Sequence, residues 1–131
     1  MSVGKGQMAL SRQEFRQLVS QAITSLPPLV AGHLANVEVV VKDRPTREEL
    51  AMVGTGPTET LFGLYTGTPL TKRNSSYGMV LPDKITLYQQ SIEDVCRTTR
   101  EVQAQIRTTL LHEIGHHFGL SEDELEEAGY Q

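Results

Sequence analysis

Residues 98–118 constrain the fold of this chain more than any other segment of the sequence. Apolar residues recur there at every fourth position, at Val102, Ile106, Leu110 and Ile114. This spacing places them on one side of an α-helix, so the segment is predicted to be a long helix with an apolar side directed into the core. The remaining elements must then supply the surface that covers this side.

Shorter patterns predict those remaining elements. Ser11 and Glu14 fit a capping box, which predicts that a helix begins there and continues to the Pro27-Pro28 pair. Runs that are β-branched or that alternate apolar and polar residues predict strands over 36–41, 61–65 and 83–88, and residues 46–52 are predicted to form a short helix. Gly119 is predicted to end the long helix, and Ser121 with Glu124 to begin a last one. The order of helix, strands and helices predicts one α+β domain.

Length, charge and cysteine content narrow the class of protein. A chain of 131 residues fits a single domain, which we predict over 11–131 after a flexible leader over 1–10. The sequence contains neither a run of about 18 apolar residues, as a membrane span requires, nor the apolar block of a secretory signal at its start, so we expect a cytoplasmic protein without a membrane partner. The net charge of −4 disfavours a nucleic-acid partner. Cys96 is the one cysteine, which excludes an intrachain disulfide and predicts a buried apolar role.

The strongest chemical signal is the motif His112-Glu113-Ile114-Gly115-His116. Helix residues four apart differ by about 40° around the axis, so the two imidazoles can bind one metal ion from the same side. Glu113, on the flank of that side, can reach a water molecule on the ion. Zinc lowers the pKa of such a water towards ~7, and a carboxylate can take its proton as it attacks a carbonyl. The motif predicts a Zn²⁺ site formed by His112 and His116, with Glu113 as the general base of a hydrolase.

A catalytic zinc site needs a third protein ligand. Glu122 lies three residues after Gly119, where a sharp turn would bring the chain back beneath the metal, so Glu122 is the candidate ligand. Asp123 beside it remains an alternative, and both acids could simply stabilise the first turn of the last helix. His117 is predicted to point into the apolar side of the long helix as a core histidine.

These segments together resemble the small bacterial zincin-like metallopeptidase family, sometimes described as minimal metalloproteases. The resemblance extends from the first predicted helix to about Gly129 and rests above all on TLLHEIGHHFGLSEDELEEAG, residues 109–129. It implies a compact zincin-like domain in which a small mixed sheet packs against the N-terminal helix and the active-site helix. It also implies a zinc peptidase that acts on peptide or protein substrates. The family usually has Asp where this chain has Glu122, so the departure lengthens the carboxylate side chain by one methylene.

The sequence also offers candidates for the substrate-binding strand and for the oxyanion donor of a peptidase. Zincin-type peptidases commonly bind the substrate as an added strand at a sheet edge, and residues 84–89 are the candidate edge, with an interior strand as the alternative. Tyr65, Tyr77 and Tyr88 are each candidates to donate a hydrogen bond to the oxyanion, although most tyrosines only pack with a solvated hydroxyl.

Three alternative functions remain open. The first is a metal-dependent hydrolase of another substrate, such as RNA, in which a three-histidine site is usual; Glu113 and the net acidity disfavour it. The second is a non-enzymatic binding protein with a zincin fold, which would have no use for a general base. The third is a peptidase that stays inactive until a partner or a conformational change opens its sheet edge. The sequence leaves the oligomeric state open.

Overall fold

The computed structural model describes residues 9–52, 61–67 and 83–119. These residues form the helices α1 (Arg12–Thr24), α2 (Pro28–Leu34), α3 (Arg47–Met52), α4 (Gln89–Asp94) and α5 (Thr99–Phe118). They also form the strands β1 (Val37–Lys42), β2 (Gly63–Thr66) and β3 (Asp83–Tyr88). The predicted α+β fold is confirmed.

The three described strands form one mixed sheet in the order β1-β3-β2. β3 runs parallel to β1, with Val37 opposite Asp83, and antiparallel to β2, with Gly63 opposite Leu87. The prediction that residues 84–89 form a sheet edge is therefore wrong, because β3 is the middle strand of the described sheet and β2 lies at an edge. The alternation in β3 was misleading because Thr86, one of its polar residues, is buried like its apolar neighbours.

The hydrophobic core lies between the sheet, α1 and α5. Val102, Ile106, Leu110 and Ile114 are all fully buried, which confirms the side of α5 that the fourfold spacing predicted. Buried side chains from α1, from α2 and from the sheet pack against these four residues. The core members from these other elements include Phe15, Val19, Ala22, Val30, Leu34, Val41, Ile85 and Leu87.

The ends of α1 and α5 follow the local signals in the sequence. The Ser11 hydroxyl accepts a hydrogen bond from the backbone N–H of Glu14 at 3.0 Å, and the Glu14 carboxylate accepts one from the Ser11 N–H at 2.9 Å. This is the predicted capping box, and it satisfies two free donors at the start of α1. Gly119, with φ of +69°, follows α5 in a left-handed conformation that favours glycine.

Helix α4 was not predicted, because its six residues show no helical apolar spacing. It is instead held by buried polar groups. The Glu93 carboxylate accepts hydrogen bonds from the backbone N–H of Leu10 at 3.1 Å and from the Gln89 amide at 2.8 Å. These contacts tie the residue before the α1 cap to α4. The rest of the predicted leader, residues 1–8, lies outside the described residues.

Two further predictions concern burial and membranes. Cys96 is buried, as expected for a small apolar side chain, and this burial is the main cause that raises the pKa of its thiol. In the parts of the chain that the structure describes, no helix has the length and apolar character needed to cross a membrane.

Candidate active site

The H-E-x-x-H motif occupies the last turns of α5. His112 is exposed and Glu113 is half-buried. His116 belongs to the same helix one turn later, but its side chain, like the whole of Glu122 and Asp123, lies outside the described residues. The described side chains contain no cluster of three possible ligands. The predicted three-ligand zinc site therefore remains a prediction.

A backbone group of the edge strand holds the carboxylate of Glu113. Oε1 of Glu113 accepts a hydrogen bond from the backbone N–H of Tyr65 at 3.0 Å. Tyr88 donates its N–H to the Phe62 carbonyl across β2 and β3, and hydrogen-bonded pairs alternate along an antiparallel ladder. The N–H groups of Gly63 and Tyr65 consequently point away from β3. Glu113 thus lies at the outer edge of β2, a relationship that no local sequence pattern indicated.

The side chain of Tyr65 also makes two specific contacts. Its hydroxyl donates a hydrogen bond to Oδ2 of Asp83 at 2.6 Å, and the Asp83 residue is only 5% exposed. The Tyr65 ring also stacks on the imidazole of His117, with 3.8 Å between ring centroids. Because its hydroxyl donates to Asp83, Tyr65 is a poor candidate for the oxyanion donor. Its backbone contact makes it a good candidate for positioning Glu113.

His117 is not the core histidine that the helical wheel predicted. Its side chain is 32% exposed, and Nε2 lies 3.9 Å from Oδ2 of Asp83. The prediction failed because the last turn of α5 extends past the core, so the same side of the helix meets Tyr65 and Asp83 at the end of the sheet. Phe118 packs next to it and stacks on His33, with centroids 4.2 Å apart.

The other two candidate tyrosines are Tyr77 and Tyr88. Tyr77 lies outside the described residues. Tyr88 is fully buried, and its hydroxyl lies close to the Glu49 carboxylate. Burial above all, with a smaller contribution from the nearby Glu49 carboxylate, raises the pKa of Tyr88 above its ordinary value. A neutral, fully buried phenol of this kind is a poor candidate for the oxyanion donor.

A cavity of about 300 Å³ opens beside His112 and Glu113, between α5 and the start of β2. The two elements approach closely here: a Cβ atom on Gly63 would lie 2.6 Å from Cγ2 of Thr109. Thr108 also lines the cavity, and both threonines precede His112 by about one helical turn. Sequence reasoning missed this cavity, although the spacing of Thr108 and Thr109 to His112 already placed them near the motif on the helix.

Comparisons with known proteins agree with this arrangement. A family model described as zincin-like metallopeptidase matches residues 34–130, which is well over half of the chain. Among solved structures, a conserved hypothetical protein from Thermo thermophilus is similar at 25% identity and a TM-score of 0.56, covering 83% of this chain and 94% of that one. A search of curated proteins found no match. The motif on α5, the small mixed sheet beside it and the family match lead to one conclusion: this chain belongs to the zincin-like metallopeptidase family.

Proposed function

We propose that this protein is a zinc-dependent peptidase in which Glu113 is the general base. The observation that carries the proposal is the hydrogen bond from the Tyr65 N–H to Glu113, the residue that follows exposed His112. A general base must be held in place while remaining within reach of the substrate. Glu113 meets both conditions, because it is half-buried, bonded to the edge strand and part of the wall of an open cavity.

The donor set suits zinc. Imidazole nitrogens and a carboxylate oxygen are common zinc ligands, and three protein ligands leave one position for catalysis. His112 and His116 would supply the nitrogens and Glu122 the oxygen, with His112 exposed on the helix and so accessible to an ion. Zn²⁺ bound by these residues would polarise the substrate carbonyl and lower the pKa of a coordinated water towards ~7.

The protein's own residues would then manage the proton and the substrate. Glu113 would accept the proton of the attacking water and pass it to the leaving amine. The Tyr65 N–H would keep one carboxylate oxygen turned towards β2 throughout. Zincin-type peptidases commonly bind an extended peptide as an added strand at a sheet edge, so extended peptides are the proposed substrates.

The test measures zinc and cleavage on the same samples. Protein purified without chelator should contain one zinc ion per chain, as determined by elemental analysis. A peptide library incubated with it should give defined cleavage products by mass spectrometry. A zinc chelator should stop the cleavage, and added Zn²⁺ should restore it. Zinc without cleavage of any peptide would favour a binding protein or a hydrolase of another substrate.

A pair of histidine variants checks the assignment of the ligands. His116→Ala should lose zinc, because it removes one of three protein ligands. His33→Ala is the matched control, since His33 belongs to α2 and lies outside the motif. Equal zinc content in wild type and His116→Ala would overturn the metal site.

A further inference from the structure

We propose that Asp83, which lies outside the H-E-x-x-H motif, is a positioning residue for the general base. Its carboxylate accepts the hydroxyl of Tyr65 and so fixes the part of β2 whose backbone N–H holds Glu113. Asp83 thus acts on the reaction through Tyr65. The inference rests on the proposed function, because it gives Asp83 a part in the chemistry of Glu113.

The register of the sheet brings Asp83 to Tyr65. Tyr65 lies opposite Ile85, and Asp83, two residues earlier in β3, projects from the same face of the sheet as Ile85. Asp83 is therefore a diagonal neighbour of Tyr65, within reach of its long aromatic side chain. The distance of 2.6 Å between the Tyr65 hydroxyl and Oδ2 of Asp83 is short, as expected for a hydrogen bond to a carboxylate.

The surroundings of Asp83 restrict this contact to one geometry. The residue is only 5% exposed, and a Cβ atom on Gly67 would lie 2.6 Å from its Oδ1, so the main chain after β2 lies against the carboxylate. A buried carboxylate that loses a hydrogen bond is costly, which favours keeping the Tyr65 hydroxyl in place. The imidazole of His117 stacks on the Tyr65 ring and restricts it from the side of α5.

Tyr65 benefits from such an anchor because of the place of its backbone in the sheet. Leu64 and Thr86 form a hydrogen-bonded pair, so the Leu64 N–H faces β3, whereas the Tyr65 N–H faces away from β3 and donates to Glu113. Tyr65 is also the residue before the end of β2 at Thr66, and the ends of elements open most readily. The bond from its side chain to Asp83 opposes that opening.

Hydrogen exchange tests this link without requiring catalysis. In the full-length protein as purified, Tyr65→Phe should speed exchange of the backbone amide at position 65 about 10-fold or more, because the bond to Glu113 opens more often once the anchor is lost. The Leu64 amide is the internal control. Its exchange rate should change much less, because its N–H bonds to β3. NMR measures both amides in the same sample.

Peptide hydrolysis tests whether the anchor acts through the base. Tyr65→Phe should lower kcat about 10- to 100-fold with KM and zinc content unchanged, because a base displaced by a fraction of an ångström to 1 Å works poorly while the substrate still binds. In a Glu113→Gln background the same substitution should cost nothing more, because the group that it positions is already inactive.

Variants of Asp83 test the other end of the same contact. Asp83→Ala should reproduce the loss in kcat, and combining it with Tyr65→Phe should be no slower than the slower single variant, because both changes break one hydrogen bond. Asp83→Asn should retain most of the activity, since its amide oxygen can still accept the Tyr65 hydroxyl.

Ser11→Ala separates positioning from a general loss of stability. It removes the side-chain cap at the start of α1, a change that destabilises a helix, and Ser11 lies outside the candidate site. It should leave kcat unchanged. A loss in kcat as large as that of Tyr65→Phe would show that destabilisation alone explains the effect, and it would overturn the positioning role.

The outcomes separate this inference from the proposed function. If the wild type cleaves no peptide, the proposed function fails and the role of Asp83 fails with it. If the wild type cleaves peptides but Tyr65→Phe keeps its full kcat, or loses as much in the Glu113→Gln background, the peptidase stands and the positioning role alone is overturned. Equal acceleration of exchange at Leu64 and position 65 would overturn it as well. Tyr65→Phe keeps the aromatic ring, so it decides the matter even if Asp83→Ala does not fold.

Discussion

The backbone N–H of Tyr65 and the carboxylate of Glu113 lie 3.0 Å apart, although 48 residues separate them in the sequence. This single hydrogen bond joins the edge strand β2 to the helix that carries the H-E-x-x-H motif. A base whose position is set in advance by the fold does not need to be ordered during the reaction. The bond therefore relates the packing of β2 on α5 directly to the chemistry that we propose.

Glu113→Gln should retain zinc and lose about 10²- to 10⁴-fold in peptide hydrolysis, because the amide cannot accept a proton from water. The amide oxygen can still accept the Tyr65 N–H, so the local structure should be preserved. Elemental analysis and cleavage rates on the same preparation check both parts. Unchanged hydrolysis would remove Glu113 from the role of general base.

Gly63→Ala should lower the free energy of unfolding by about 1–3 kcal/mol, because the new methyl group overlaps Cγ2 of buried Thr109. Thr109→Ser removes that methyl group and keeps the hydroxyl that bonds to Gln105. The double variant should therefore regain most of the loss. Urea denaturation of the two single variants and the double variant measures the effect. Strictly additive losses would show that Gly63 is not required for the close approach of β2 to α5.

Tyr65→Phe should lower the free energy of unfolding by about 1.5–3 kcal/mol, since it removes a hydrogen bond to the buried Asp83 carboxylate. Asp83→Asn should cost less at this contact, because an amide oxygen can still accept the Tyr65 hydroxyl. A double-mutant cycle of Tyr65→Phe with Asp83→Ala, which removes the acceptor, isolates the coupling between the two side chains by thermal or urea unfolding. A coupling energy near zero would mean that the contact contributes nothing to stability.

Glu122→Ala should weaken zinc affinity strongly, whereas Asp123→Ala should leave it unchanged and cost at most ~1 kcal/mol of helix-end stability. This expectation comes from the sequence, in which Glu122 follows Gly119 by three residues, the spacing at which a sharp turn would bring a ligand back to the metal. Competitive zinc titrations of the two alanine variants measure the difference. The opposite result would shift the third ligand to Asp123 and leave the two histidines in place.

Cys96 should react slowly with iodoacetamide in the native protein at mildly alkaline pH and rapidly in urea. The thiolate is the reactive form, and burial first, then the Glu101 and Glu93 carboxylates, raise the pKa of the Cys96 thiol. The native protein therefore holds less thiolate than the unfolded chain at any pH where a free thiol titrates, and its rate should rise only at higher pH. The chain has one cysteine, so labelling followed by mass spectrometry reports this site alone. Equal native and unfolded rates would contradict its burial.

Patterns confined to neighbouring residues were read correctly from the sequence. The capping box at Ser11, the fourfold apolar spacing of α5 and the glycine after it all depend on interactions within a few positions of the chain. The position of His112 and Glu113 on one helix follows from the same local geometry. For that reason the fold class and the H-E-x-x-H helix were predictable from the order of the amino acids.

The surroundings of that helix depend on tertiary structure. The residues of β3 were predicted correctly but not its central place, because strand order depends on pairing between distant segments. His117 lies outside the core because the last turn of α5 extends past the core residues and meets Tyr65 and Asp83, a matter of relative length that a helical wheel does not contain. The contact between Tyr65 and Glu113 and the cavity beside His112 also depend on the packing of distant segments. The amino-acid sequence thus specifies which residues can do the chemistry. The packing of β2 against α5 specifies how Glu113 is held, because that contact exists only once the chain has folded.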